Sequence, residues 1–173
     1  MSGANDAKLG SVTSAPIELR FATPDDLLPI QAVLVQTWHR LYEHLEQESP
    51  LSPRYHTPAR LKEELENPDW QLIVATRGDE IIGTGSGCHR IDGSYRLERI
   101  YVVPTAQGEG IGAMIFERML ELAEGKAIRV EFDARNRRGL EFYRERGFEK
   151  KSEFVRGEGP AEHRCLILIR PPA

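Results

Sequence analysis

Between positions 107 and 114 the chain reads QGEGIGAM, with glycines at 108, 110 and 112. Glycine lets backbone approach a ligand closely, and each one costs conformational entropy on folding. Three at alternate positions are more than a turn requires. An apolar stretch precedes them and a helical pattern follows, which can turn successive amides and a helix N-terminus toward an anion. Three ligand-free or ligand-bound chemistries compete with one another here. A P-loop would carry GxxxxGK[ST], but the lysine and the metal-holding hydroxyl are both missing, which argues against nucleoside triphosphate hydrolysis. A dinucleotide loop would read GxGxxG, whereas the spacing is GxGxG; antiparallel strands precede it and too little chain follows for a second mononucleotide-binding half, although Asp133 stands near the position of a ribose-binding acid. The third chemistry is a metal-free pyrophosphate cradle, in which the amides of Gln107, Gly108, Glu109, Gly110, Ile111, Gly112 and Ala113 face one concavity. A purely structural turn stays open beside it.

The elements that must hold this loop follow from periodicity. Residues 17–22 (IELRFA) alternate as a strand. Thr23-Pro24-Asp25-Asp26 then supplies a hydroxyl cap, a proline at the first helical position and acids at the positive helix end. Leu27, Ile30, Val33, Leu34, Trp38, Leu41 and Leu45 give that helix its apolar face. Prolines within 49–58 break it, a shorter helix starts at Thr57-Pro58, and Asn67-Pro68 ends that one. Strands at 70–76 and 81–90 make a hairpin around Arg77-Gly78-Asp79-Glu80. Alternating Gly83, Gly85 and Gly87 predict a closely approached face or a bulge in the second of them. Residues 95–103 (YRLERIYVV) form the next strand. A helix at 109–124, a strand at 127–132, a helix at 137–146 and strands at 148–155 and 162–170 follow. The order β-α-α-β-β-β-α-β-α-β-β describes a mixed α/β (α+β) domain, antiparallel at first, with one β-α-β crossover at the glycine loop.

The chain has 173 residues, enough for one domain with a real core. Residues 1–15 are small and polar and read as a disordered tail, leaving 16–173 as a single domain. The formal net charge of −4 argues against nonspecific nucleic-acid binding. The basic run of Arg135, Arg137 and Arg138 reads as a solvated helix start. Cys88 and Cys165 make neither a disulfide framework nor a CxxC metal pair, so a reducing, cytoplasmic setting without a metal is expected. No apolar run approaches the roughly 18 residues of a membrane span, and the start lacks the apolar core of a signal peptide.

Gln107-x-x-Gly110-x-Gly112 resembles the (Q/R)xxGx(G/A) loop of the GNAT superfamily of N-acyltransferases. Downstream, residues 136–148 (NRRGLEFYRERGF) are similar to the family's NxxAxxFYxxxGF segment, with Gly139 in place of the usual alanine. The resemblance runs from about residue 17 to 170. It implies a mostly antiparallel seven-stranded sheet flanked by about four helices, with a splay between the fourth and fifth strands. It also implies transfer of an acyl group, usually acetyl, from coenzyme A to an amine by direct attack in a ternary complex.

Carried onto this chain, the resemblance assigns the pyrophosphate of acetyl-CoA to 107–113 and the pantetheine arm to the backbone of Tyr101, Val102 and Val103. The amide of Val102 or Val103 would meet the thioester carbonyl as an oxyanion site. Asn136 would lie near the pantetheine, or serve as a plain N-cap for the helix from Arg137. Tyr143 is the candidate donor to the leaving thiolate. A phenol of pKa about 10 facing a thiol of about 8.5 makes full proton transfer uphill by roughly 2 kcal/mol, so hydrogen bonding to the developing charge is the milder role. Two adjacent aromatics on a helix are expected to face different ways, so Phe142 would take the core and Tyr143 the cofactor. Glu98 is the candidate base or water-holder, because deprotonating an amine of pKa about 10.4 at pH 7 costs roughly 4.6 kcal/mol. Strand alternation would put Leu97, Arg99 and Tyr101 on one face and Glu98, Ile100 and Val102 on the other. A structural alternative for Glu98 is an ion pair with Arg90 or Arg99, and His89 is a weaker candidate.

For the acceptor the resemblance points to residues 36–60 and the last hairpin. Trp38, His39, Tyr42, Glu43, Glu46, Glu48, Tyr55 and His56 lie in the first of these, and acids with aromatics suit a cationic amine. The acids also fit the wet face of a helix. Expected acceptors are a small amine, a polyamine or an amino-acid-like compound. A protein or peptide N-terminus is the alternative, and a non-catalytic CoA-binding sensor or interaction module the competing class. Relatives that pair as dimers suggest a homodimer through the last strands.

Overall fold

The computed structural model describes residues 15–42, 56–159 and 162–173. The strands are β1 (Ile17–Phe21), β2 (Trp70–Arg77), β3 (Glu80–His89), β4 (Tyr95–Val102), β5 (Ile128–Asp133), β6 (Glu149–Arg156) and β7 (His163–Arg170). The helices are α1 (Leu27–Tyr42), α2 (Pro58–Glu66), α3 (Ile111–Leu122) and α4 (Arg137–Arg144). Their order is the one the periodicity predicts, and the tail at 1–14 lies outside the described residues.

All seven strands join one sheet in the order β1-β2-β3-β4-β5-β7-β6. The β4–β5 pair is parallel and every other pair is antiparallel. The parallel pair is the one joined through a helix, as a crossover requires. Alternation along β2 separates two cores. Leu72 and Val74 pack with Ile30 and Leu34 of α1 and Leu61 of α2. Ile73 and Ala75 face Ile111, Ile115, Phe116 and Met119 of α3. The β3 glycines belong to that second face: a Cβ at Gly85 would run into Ile115, and one at Gly87 would lie 2.6 Å from the Tyr95 ring. They are therefore a closely approached face, as their alternation suggests.

The bulge falls on the register between β3 and β4. Gly87 pairs with Leu97 and Ser86 with Arg99, so Glu98 is an extra residue. This corrects the expected alternation of β4. Leu97 packs into the α3-side core with Tyr95, whereas Arg99 crosses to α2 and donates to both carboxylate oxygens of Glu64 at 2.7 and 2.8 Å. Glu98 does not share a role with Ile100 and Val102, which pack against the α3-side core; its carboxylate meets Arg96 at 2.7 Å. The inserted residue flips the side-chain phase, so one alternation rule cannot run the length of the strand.

The same place marks the opening of the sheet. Strands β4 and β5 pair only at Tyr95–Ile128, Arg96–Arg129 and Leu97–Val130. Past them β4 keeps its β3 partners while Glu131, Phe132 and Asp133 pair with β7 alone. The expected splay thus starts at Glu98.

Candidate active site

After β4 the chain makes a short 3₁₀ turn at Pro104–Ala106 and enters the glycine loop. Gly108 has φ +91° and Gly110 φ +83°, the left-handed region that an L side chain adopts only with strain. Gly110 is the N-cap of α3, so the helix begins at Ile111 rather than at 109. The first helical bond runs from Met114 N–H to Gly110 C=O at 3.0 Å, and the amides before it have no helical acceptor. Gln107, Gly108, Gly110, Ile111, Gly112 and Ala113 line a cleft of about 320 Å³, within the range of small-ligand sites. Glu109 is not among its lining residues; its carboxylate pairs with Arg77 of β2.

One wall of the cleft is the free stretch of β4. Val103 N–H donates to Ile82 C=O at 2.9 Å, so it is committed to β3 and not available as an oxyanion donor. Antiparallel alternation turns the neighbouring Val102 groups toward the opening. Of the two amides the sequence leaves open, only that of Val102 faces the splay. The Val102 carbonyl accepts from Gln107 Nε2 at 3.0 Å and from Thr37 Oγ1 at 3.3 Å. The Oε1 of Gln107 in turn accepts from Arg138 at 3.0 Å. Gln107 therefore ties β4 to the start of α4.

The other wall is α4. Asn136 caps it, its Oδ1 accepting from Gly139 N–H at 2.8 Å, and it also lines the cleft. The two expected roles are compatible in place. A Cβ at residue 139 would lie 2.7 to 3.1 Å from atoms of the Asn136 side chain, so any larger residue here would have to displace that cap. Phe142 and Tyr143 do not divide between core and cleft as expected. Tyr143 packs with Phe132 and Phe148, Phe142 packs edge-on against Tyr143 at 5.3 Å, and both line the cleft. At the end of this eight-residue helix the core and the cleft adjoin, so one face serves both.

Burial pushes the Tyr143 phenol above its ordinary range; a charge on Tyr101 would push the same way, and the Arg146 guanidinium opposes both. Burial likewise raises Tyr101, with Arg99 opposing and Glu98 adding to the shift. Both hydroxyls stay protonated at neutral pH.

Other candidates fall elsewhere. Glu98 does not line the cleft; its side chain is 13% exposed and bound to Arg96. His89 meets Lys126 at 3.0 Å and stacks edge-on with Tyr95, away from the cleft. His56 is buried, and desolvation followed by the charges of Arg99 and Arg60 lowers its pKa to about 3. Trp38 is buried on α1. The side chains of His39 and Tyr42, and Glu43, Glu46, Glu48 and Tyr55, lie outside what is described. Sequence reasoning missed Arg138 and Arg146 as lining residues of the cleft, the Arg146 guanidinium lying 3.7 Å from the Phe142 ring centroid. A signal was present in the sequence: 138, 142 and 146 are spaced by four within the helix expected at 137–146, although α4 ends at Arg144 and Arg146 lies in the turn that follows.

The model of the acetyltransferase (GNAT) domain matches residues 42–161. The chain belongs to the GNAT acetyltransferase family. It is therefore an acyltransferase by family. An IAA acetyltransferase of Azospirillum brasilense is 28% identical over 130 residues, spanning 73% of this chain and 83% of that protein. The N-alpha-acetyltransferase RimI of Mycobacterium tuberculosis is 30% identical over 97 residues, 54% of this chain and 61% of that one. Among solved structures, the PaiA N-acetyltransferase of Thermoplasma acidophilum, in complex with coenzyme A, superposes with TM-score 0.74 at 20% identity, over 90% of this chain and 99% of that one. The ribosomal-protein-S18-alanine N-acetyltransferase of Escherichia coli gives 0.72 at 14% identity, over 91% and 95%. These structures share the fold of this chain, whose seven-stranded sheet opens between its fourth and fifth strands. No helix among the described residues is long and apolar enough to cross a membrane.

Proposed function

We propose that this GNAT protein moves the acetyl group of acetyl-CoA to a primary amine by direct attack in a ternary complex. The observation that carries the reading is a single cleft that joins the glycine loop, the opening between β4 and β5, and Tyr143. The loop amides and the start of α3 supply positive potential for the pyrophosphate without a metal. Pairing of Glu109 with Arg77 keeps a carboxylate from opposing it, and Arg138 and Arg146 add two guanidiniums suited to phosphate oxygens. The pantetheine arm would lie along the backbone of Tyr101–Val103, in the opening beside β4, like an added strand.

In the reaction the amine nitrogen bonds to the thioester carbon, the C–S bond breaks, the amine loses a proton and the sulfur gains one. Val102 N–H stabilises the carbonyl oxygen as it becomes negative. The Tyr143 hydroxyl donates a hydrogen bond to the sulfur. Its raised pKa makes complete transfer harder than the roughly 2 kcal/mol for an ordinary phenol, so the hydrogen bond is its contribution and the proton is finally drawn from water. Glu98 acts as a water-holder one step removed from the cleft, where Arg96 holds its carboxylate in place.

The acceptor is a small amine, polyamine or amino-acid-like compound. A peptide N-terminus is the second reading, favoured by the 30% identity to an N-alpha-acetyltransferase. The setting is cytoplasmic, with both cysteines free, and the exposed edge strand β6 is where a homodimer would form. Thiol release from acetyl-CoA, measured with a panel of primary amines and alanine-terminated peptides, tests the proposal. Release with at least one acceptor, lowered by about tenfold or more in Tyr143→Phe, is the expected result. Tight acetyl-CoA binding without release by any acceptor would mark a CoA-binding sensor or interaction module instead.

A further inference from the structure

Two phenols line the cleft from opposite walls, Tyr143 on α4 and Tyr101 on β4. Neither hydroxyl has a hydrogen-bond partner among the described residues. Tyr143 is 8% exposed and Tyr101 half-buried, and both residues border the cleft. Both hydroxyls are therefore available to a molecule in the cleft.

The other polar side chains lining that space are committed. Thr37 donates to Val33 C=O at 2.8 Å and reaches Val102 C=O. Gln107 is bonded at both ends of its amide. Asn136 caps α4. Arg138 and Arg146 are cations, which suit phosphate and repel an ammonium. Glu98 lies outside the lining and is held by Arg96. Sidedness separates the two phenols. Tyr143 belongs to the α3-side core, while Tyr101 also packs against the core beneath α1 and α2. Tyr101 is adjacent in sequence to Val102, whose amide would hold the thioester oxygen.

Resting on the acetyl-transfer reading above, we infer that the Tyr101 hydroxyl is the acceptor-side catalytic contact: its oxygen accepts a hydrogen bond from the incoming primary amine and aims the nitrogen lone pair at the thioester carbon. A neutral phenol suits this task, because it can accept from an N–H without fixing the amine in its charged form. Burial keeps the phenol neutral well past physiological pH. The ring adds an aromatic face for the amine's carbon chain.

Tyr101→Phe removes one oxygen that holds nothing in the fold, so the variant stays folded. The probe amine is n-propylamine, small enough to need no side-chain pocket, with acetyl-CoA binding followed by calorimetry. The expected result is a fall of about tenfold or more in kcat/KM for the amine, with acetyl-CoA affinity within twofold of the parent. Unchanged kcat/KM for the amine overturns the assignment, as does a matching loss of acetyl-CoA affinity, which would put the hydroxyl on the cofactor. Tyr143→Phe is run alongside. A fall for Tyr143→Phe beside an unchanged Tyr101→Phe overturns this assignment alone. Absence of thiol release by the parent with any amine overturns acetyl transfer itself, and this assignment with it.

Discussion

His56 makes stability depend on pH in a window where little else should. It is 7% exposed, and its Nδ1 has no partner among the described residues. Burial, then the charges of Arg99 and Arg60, lowers its pKa from 6.5 to about 3. The folded protein thus refuses a proton that the unfolded chain accepts below pH 6.5. Stability is full above that value and falls as pH drops, down to the folded pKa near 3. Between pH 7 and pH 5 the unfolded chain becomes almost fully protonated at this site while the folded one does not. Integrating the difference gives a loss of about 2 kcal/mol, or roughly 4–8 °C in Tm for a domain of this size. Urea titrations at pH 7, 6 and 5, on the parent and on His56→Gln, measure it. The variant should be less stable at pH 7, because a buried amide is left unpaired, but its stability should change far less with pH. Equal slopes for the two proteins would show that His56 is solvated or paired, and would refute the argument. The same low pKa means that His56 does not serve as the amine's base at pH 7.

Three further outcomes are expected. Glu64→Leu strands the buried Arg99 guanidinium and should cost about 3–5 kcal/mol in chemical denaturation, most of it recovered in the double variant with Arg99→Met; a single variant within 1 kcal/mol of the parent would contradict the buried pair. Gly110→Ala forces an L side chain into φ +83°, with a stability loss of about 1 kcal/mol and weaker acetyl-CoA binding by calorimetry; unchanged affinity would count against the amide cradle. Tyr143→Phe should lower kcat by about tenfold to a hundredfold. Because the parent phenol titrates above its ordinary range, kcat should show no alkaline decline through pH 10, and a fall with a midpoint near 10 would place Tyr143 in water.

Much of this was legible because the strongest local signals agree with the fold. Thr57 before Pro58 caps α2, its hydroxyl accepting from Arg60 N–H at 3.3 Å, as its residue types predict. The β3 glycines announced the helix that presses on them. The glycine loop was legible because φ values of +91° and +83° leave little choice of residue. What stayed hidden depends on register. A bulge at Glu98 has no local signature, since Leu97-Glu98-Arg99 is consistent with ordinary alternation. The partner that draws Arg99 to the other face, Glu64, is 35 residues away. A basic run such as Arg135, Arg137 and Arg138 reads as solvated, and Arg138 is exposed; only the position of α4 against Gln107 brings it to the cleft.

The bulge also bears on how the amine loses its proton. On the proposed reading the acceptor arrives where β4 and β5 part, and Glu98 is the first residue past their last pair. Were alternation unbroken, Glu98 would lie on the face of Ile100 and Val102, both of which line the cleft. The inserted residue instead sends its carboxylate to Arg96. That pairing holds the carboxylate away from the cleft, out of direct reach of an amine there. An amine of pKa about 10.4 must still give up roughly 4.6 kcal/mol of protonation free energy at pH 7. A carboxylate outside the cleft recovers little of that, so most of it must come from the medium. The rate at subsaturating amine should therefore rise about tenfold per pH unit up to the amine's own pKa, and Glu98→Gln should scale the whole profile down without changing its slope. A plateau near pH 7 that disappears in Glu98→Gln would show the opposite: a base in direct contact, with the carboxylate turned into the cleft when substrates bind.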